Sequence, residues 1–276
     1  MIYILDFRGS DVGGAVVPGR ILQISRLSVP LGTEDDLRLE SKITFLLHGY
    51  NVSRQSGIDS LLRLAEHLPS AGDGAIVAVL WPGDHWTRGV SYPFEGNDAD
   101  DSAAELARYI DLNIRRGTEL SFVSHSLGAR VVMGTVKRLI DEGYPIGQIC
   151  LMAAAIDDFS LARPDDYRVA VTSAERVAVL ASEKDKVLMI AYPIGDLLQS
   201  FIFFRKEKIG LALGRRGPKA FSGNAIPNQV YHLQIPNNRK SDHGDYIPAN
   251  PPNMEQLSAA QFADEVLKRE ATPKYL

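Results

Sequence analysis

The sequence is short of most of the features that mark specialised proteins. It carries a single cysteine, Cys150, in 276 residues, so no internal disulfide can form and a reducing compartment suits it. No apolar run reaches the ~18 residues of a membrane-spanning helix. The opening stretch, MIYILDFRGS, has no basic leader, no long apolar segment and no small-residue cleavage site, and it reads as a first strand. Together these lead us to expect a cytoplasmic protein without a transmembrane segment. A formal net charge of −4 makes no electrostatic case for nucleic acid. There is no His-Glu-x-x-His, no cysteine pair and no histidine cluster at ligand spacing, so no metal is expected. No P-loop occurs, and no G-x-G-x-x-G follows a strand, so no cofactor is expected either. Internal repeats and low-complexity tracts are also missing.

What is present is an alternation of apolar strands and amphipathic helices. A hydrophobic fraction of 45% and a charged fraction of 23% are those of a globular chain with a sizeable core. Ile43 to Leu47, Ala75 to Leu80, Ile149 to Ala154 and Val177 to Ala181 are nearly continuous apolar runs, as in strands buried on both faces. Between them, Ile58, Leu61, Leu62, Ala65 and Leu68 recur at helical spacing, as do Ala103, Leu106, Ala107, Ile110 and Ile114. A last strand falls at Val230 to Ile235 and a last helix at about Met254 to Arg269. Ile21 to Val29 alternates and suggests an antiparallel edge strand, after a loop rich in Gly and Pro. Thr33 to Glu40 reads as a polar surface connection. The pattern is that of an α/β fold with a mostly parallel central sheet covered by helices on both faces. We expect one domain over residues 1–276, with N-terminal strands in 1–40 and a candidate cap or extended helical region in 186–225. Leu197, Leu198, Phe201, Ile202 and Phe204 read as a core helix ahead of a lid or interfacial helix, and the basic stretch Arg205 to Lys219 as solvated surface.

The chemistry centres on LSFVSHSLGARVVM, residues 120–133. Leu120, Phe122 and Val123 make a short strand, and Leu127, Val131, Val132 and Val136 begin a helix. The turn between them, Ser124-His125-Ser126-Leu127-Gly128, is close to a G-x-S-x-G nucleophile elbow, with Ser124 in place of the first Gly. A serine at such a turn projects its hydroxyl above the sheet edge, and the helix start behind it offers N–H groups to a developing oxyanion. Only Ser126 sits at the turn; Ser124 still belongs to the strand.

A nucleophilic serine needs a base, and the base needs an acid to orient it. Ser126, Asp185 and His243 occur in the order Ser, acid, His, each just after an apolar strand, where ligands bind parallel sheets. Asp157 and Asp158 are rivals for the acid, although either could cap the next helix; Glu183 is a lesser rival. Among the other histidines, His232 lies within a strand and reads as structural, and His125 is expected to pack behind the serine. His48-Gly49-Tyr50 follows a buried strand and places Tyr50 N–H as one oxyanion donor, with Leu127 N–H as the other. Trp81, Tyr92 and Phe94 are candidates for an apolar acyl pocket.

FLLHGYN, VLWPGD, FVSHSLGARVV, LMAAAID and the Asp185 loop together resemble the α/β-hydrolase superfamily. More closely, they are similar to an uncharacterised, mainly bacterial family of α/β hydrolases listed as a domain of unknown function, over roughly residues 40–250. The resemblance implies a serine hydrolase that cleaves a small-molecule ester, with a triad, an oxyanion hole and no settled natural substrate. A thioesterase or amidase using the same triad, or a catalytically silent scaffold acting as a binding module, remains open at this point, as do the oligomeric state and the acyl chain length.

Overall fold

The computed structural model describes residues 1–11, 14–24, 31–83, 95–189 and 210–276, with positions 95–97 described by backbone alone. Among the described residues, eight strands form one sheet: β1 (Ile2–Arg8), β2 (Val16–Ile21), β3 (Lys42–Leu47), β4 (Ala75–Leu80), β5 (Glu119–His125), β6 (Ile146–Met152), β7 (Ala174–Ala181) and β8 (Val230–Gln234). Their spatial order is β2-β1-β4-β3-β5-β6-β7-β8. Only the β1/β2 pair is antiparallel; the other neighbours run parallel. This is the doubly covered parallel sheet that the apolar runs predict: every residue of β4 and β6 is buried, as strands buried on both faces require. Phe45 on β3 lies opposite Phe122 on β5, their rings stacked with centroids 5.3 Å apart.

Helices cover both faces. α2 (Arg54–Glu66) and α7 (Met254–Leu267) form one layer, α3 (Glu95–Asn113) and α4 (Gly128–Leu139) the other, with a short helix α1 (Glu34–Leu37) before β3 and the short helices α5 (Arg168–Ser173) and α6 (Leu213–Arg216) packed against β7. Ser53 caps α2 by accepting from Ser56 N–H, and Asn253 and Gln256 form a capping box on α7, which satisfies N–H groups the helices leave open. Among the described residues no helix is long and apolar enough to cross a membrane.

Two local expectations need correction. The edge strand is Val16–Ile21, earlier than the alternation at Ile21 to Val29 suggests; residues 25–30 lie outside the described residues. Pro18 and Gly19 look like turn formers, yet an outermost strand needs no outward N–H partner, so Pro is tolerated there. Gly19 is required for another reason: a Cβ there would sit 2.4 Å from the Phe7 ring. The stretch Thr33 to Glu40 is also more than a polar connection. It holds α1, closed by a Thr33/Asp36 capping box and anchored by the buried Leu37.

Sharp packing against the end of β3 sets how the elbow sits. A Cβ at Gly128 would come within 2.6 Å of the His48 carbonyl oxygen, so α4 can start beside β3 only with Gly there. Gly128→Ala is therefore expected to destabilise the chain by about 1–3 kcal/mol, which lowers Tm by about 2–4 °C per kcal/mol at this size. Differential scanning calorimetry checks this; an unchanged Tm would show that the turn can open without cost.

Candidate active site

The site is built at the carboxyl ends of β3, β5, β7 and β8. β5 ends at His125, and the chain turns into α4 through Ser126, whose φ of +54° lies in the left-handed region. A non-glycine residue there costs of order 1–3 kcal/mol and persists only where its surroundings hold it. The holding bonds are Ser126 N–H to Met152 O (3.0 Å) and Ala155 N–H to Ser126 O (3.1 Å). The strained turn lifts the hydroxyl clear of the sheet, 2.9 Å from His243 Nε2.

His243 comes from the 3-10 turn His243–Tyr246 that follows β8. Its Nδ1 lies 2.7 Å from Asp185 Oδ2. The carboxylate can only accept, so Nδ1 carries the proton and Nε2 is left to accept from the Ser126 hydroxyl. Asp185, fully buried, follows β7. Its second oxygen accepts from Leu188 N–H at 2.9 Å, which fixes the plane of the carboxylate. The acid and base loops are also tied to each other. Ser182 Oγ donates to Ser241 O (2.7 Å), and Lys186 N–H donates to Asp242 Oδ1 (3.0 Å). These cross-loop bonds are invisible in the sequence, because Ser182 and Ser241 carry no motif.

The opposite wall is the turn after β3. A Cβ on Gly49 would lie 2.9 Å from Ser126 Cβ, so the His48-Gly49-Tyr50 backbone passes directly against the serine. The His48 ring lies between Trp81 and Gly57. Its Nδ1–H donates to Gly49 O at 2.7 Å, and its ring stacks on Trp81 at 5.6 Å. Burial, with Arg8 nearby, pushes its pKa down to about 3, so it stays neutral. α4 has Leu127 at its N-cap position and no side-chain cap there, unlike α2 and α7. Ala129 N–H is taken by Ser126 O (3.1 Å) and Arg130 N–H by Leu127 O (3.0 Å), and the positive end of the α4 dipole lies at the Ser126 turn.

This arrangement is that of a hydroxyl, an imidazole and a carboxylate in series. A family model described as an alpha/beta hydrolase of unknown function (DUF900) matches residues 33–198. The chain belongs to that family. The match takes in β3 to β7, with Ser126 and Asp185, while β8 and His243 lie beyond it. Among solved structures, the chain is similar in fold to the hyperthermophilic esterase from the archaeon Pyrobaculum calidifontis, at 16% identity and a TM-score of 0.43. That alignment covers 84% of this chain and 76% of that one. Esterase 2 of Thermogutta terrifontis follows at 11% identity and 0.42, covering 85% of each chain. An acetylxylan esterase is at 11% and 0.40, covering 83% of this chain and 96% of that one. No curated protein sequence matches this chain. Likenesses this distant carry nothing about activity, which has to be argued from the site's own atoms.

For this DUF900 member the candidate residues sort as follows. Ser126, His243 and Asp185 come together, and Gly49 lies against Ser126, with Tyr50 next to Gly49 and Leu127 next to Ser126 in the chain. Ser124 is buried and aligned between Leu47 and Leu151 within the sheet. Asp158 is engaged elsewhere, 2.5 Å from Lys219 Nζ, and Glu183 faces Arg216 (3.2 Å) and Asn237 (3.1 Å). Asp157 bridges to Ala212. Trp81 corrects the acyl-pocket expectation. It is fully buried, and its Nε1–H donates to the His48 carbonyl at 2.9 Å, so it braces the His-Gly turn rather than offering an open wall. Tyr92, Phe94 and the Leu197 to Phe204 stretch lie outside the described residues. Among the described residues, no group of three His, Cys, Asp or Glu is placed to hold a metal ion.

His125 does more than pack behind the serine. Its Nε2 lies 3.0 Å from the His243 carbonyl, and its ring sits between those of His243 (4.7 Å) and Tyr246 (5.9 Å). Enclosure, with His243 close by, pushes its pKa down to about 3, so Nε2–H is the donor of a neutral ring. The residue before Ser126 thus grips the backbone of His243. His125→Phe keeps the ring and loses the bond. It is expected to slow any reaction that runs through the Ser126–His243 pair by about tenfold, from a hydrogen bond of about 1 kcal/mol and the looseness that follows. A second readout is acid stability. A histidine at 6.5 in the unfolded chain and about 3 when folded contributes stability that is complete above about pH 6.5 and is lost as the pH falls toward 3. Thermal melts between pH 7 and 4 should therefore fall less steeply for His125→Phe than for the wild type. Parallel curves would contradict the assignment.

Proposed function

We propose that this protein is a serine hydrolase that cleaves small-molecule carboxylic esters through an acyl-enzyme intermediate. The observation that carries the reading is the chain of contacts Ser126 Oγ to His243 Nε2 (2.9 Å) and His243 Nδ1 to Asp185 Oδ2 (2.7 Å), set on a left-handed turn at an uncapped helix start. In this reading Ser126 Oγ attacks the acyl carbon while its proton passes to His243 Nε2. The imidazolium is stabilised by Asp185, which stays ionised. The tetrahedral oxyanion is held by the N–H groups of Leu127 and Tyr50. Collapse breaks the bond to the alcohol, which leaves with the proton from His243. Water, deprotonated by the same imidazole, then attacks the acyl group and releases the acid and free Ser126.

An ester asks less of the site than an amide, because an alcohol leaves more readily than an amine. The buried Trp81 and the braced His48 turn support a rigid oxyanion wall. The test is a fluorophosphonate probe, followed by a panel of p-nitrophenyl esters of graded chain length. Labelling with turnover of esters supports the reading. A folded chain that takes no label and turns over no ester would overturn it and favour a scaffold that only binds. Faster turnover of thioesters or amides would keep the triad and move the substrate class.

A further inference from the structure

We propose that Tyr275 is a positioning residue for His243, acting through Ser241. The inference rests on the hydrolase reading above for its kinetic arm only. The segment that carries His243 leaves β8 at Gln234 and passes through Lys240, which is left-handed at φ +57°, to the fully buried Ser241. Such a loop has no ladder of its own to hold it, so its order must come from outside. Residues 273–276 supply part of it, beside the bonds from Ser182, Lys186 and His125. Tyr231 Oη–H donates to Pro273 O at 3.1 Å, Lys274 N–H donates to Glu265 Oε2 at 2.7 Å, and Arg239 donates to the Leu276 carbonyl. Between them Tyr275 reaches inward, its ring under the Arg239 guanidinium at 5.1 Å.

The direction of the bonds at Tyr275 follows from proton counting. A phenol has one proton, and it goes to the Glu255 carboxylate, which can only accept. The bond of 2.8 Å between Tyr275 Oη and Ser241 Oγ is therefore donated by Ser241. Glu255 is held in turn by Arg239 Nε at 3.1 Å. Burial and the Glu255 charge both push the Tyr275 pKa up, so the phenol stays protonated and the direction is fixed.

Ser241 is thus gripped at two points. Its hydroxyl is held by Tyr275, and its carbonyl by Ser182 Oγ at 2.7 Å. Ser182 O accepts from Asp185 N–H at 3.2 Å, so the same residue is tied to the acid. Two residues after Ser241 comes His243. Release of the hydroxyl frees the peptide from which the imidazole is aimed, without touching Ser126, Asp185 or the oxyanion turn. Tight aim matters here: a displacement of ~1 Å can cost on the order of 10²-fold in rate.

The experiment uses the full chain in four forms: wild type, Tyr275→Phe, Ser241→Ala and the double variant. Tyr275→Phe keeps the ring beneath Arg239 and removes only the hydroxyl. Each single variant is expected to lower kcat for p-nitrophenyl acetate by about tenfold, with KM within about twofold, and the double to be no worse than Tyr275→Phe alone, because the two share the Tyr275–Ser241 bond and only Tyr275→Phe also loses the bond to Glu255. The independent readout is the low-field Nδ1–H proton resonance of His243 in ¹⁵N-histidine-labelled protein, which should broaden or vanish in both singles. A lower Tm with unchanged kcat and an unchanged resonance would overturn the proposal and leave Tyr275 a purely structural anchor. Losses that multiply in the double variant would also overturn it. If the wild type takes no fluorophosphonate and cleaves no ester, the hydrolase reading falls alone, since the resonance still reports whether Tyr275 holds His243.

Discussion

Ser126→Ala is expected to abolish fluorophosphonate labelling and to lower ester hydrolysis by roughly 10⁴- to 10⁶-fold, the range seen when one member of a serine-protease triad is removed. The residue left behind is an alanine in the same left-handed turn, held by the same main-chain bonds to Met152 and Ala155, so folding should survive and circular dichroism should not change. Ser124→Ala is the internal control. Ser124 is buried, and its Oγ has no hydrogen-bond partner among the described residues. Removal of an unsatisfied buried hydroxyl is neutral or mildly stabilising, so this variant should keep full labelling and an equal or higher Tm. Mass spectrometry of the labelled wild type should place the adduct on Ser126. An adduct on Ser124 would mean that the register of the elbow is misassigned by one turn of the strand.

The sheet was legible because it depends on burial alone. Strands covered on both faces must be apolar throughout, and β3, β4, β6 and β7 announce themselves as such in the sequence. The edges were harder for the complementary reason. β2 is only partly buried along its length, and its Gly19 obeys the close approach to Phe7 rather than any strand propensity. The short helix α1 was missed because four residues carry no period; its signal was Thr33 and Asp36 three apart, a capping box read as surface polarity.

The site was legible to the extent that it depends on chain order. Ser126, Asp185 and His243 each follow a strand, and a parallel sheet brings all strand ends to one rim. What order does not convey is the support. His125 could be placed in the elbow from sequence, but its bond to the His243 carbonyl depends on how two loops meet. Trp81 invited a pocket assignment because large aromatic residues near strand ends often line sites; its indole N–H instead finds the His48 carbonyl in the core. Tyr275 had no signal at all, since its partners Ser241 and Glu255 are joined to it only by the path of residues 268–276 across α7.

The acid gives the second large expected effect, and the geometry sharpens it. Asp185 uses both oxygens: Oδ1 accepts from Leu188 N–H, and Oδ2 accepts from His243 Nδ1–H. In Asp185→Asn the single remaining carbonyl oxygen is claimed by the Leu188 amide, which can only donate. The new NH₂ group then faces His243 Nδ1 and must donate to it. That forces the proton of the imidazole onto Nε2, where it meets the Ser126 hydroxyl and can no longer take its proton. A wrong tautomer of this kind costs about 10⁴-fold in kcat in a serine-protease triad, and a loss of that order is expected here with the fold intact. Asp157→Asn should alter the rate little. Asp158→Asn breaks a contact of 2.5 Å to Lys219 and should lower Tm more than kcat. Glu183→Gln, at an exposed carboxylate facing Arg216 and Asn237, should stay within about twofold, as surface pairs contribute little. Kinetics at pH 8 on the four variants, each checked for folding by its thermal melt, decide the matter. Near-normal turnover in Asp185→Asn, with a collapse in Asp157→Asn or Asp158→Asn, would move the acid to the loop after β6 and leave the pairing of Ser126 with His243 in place.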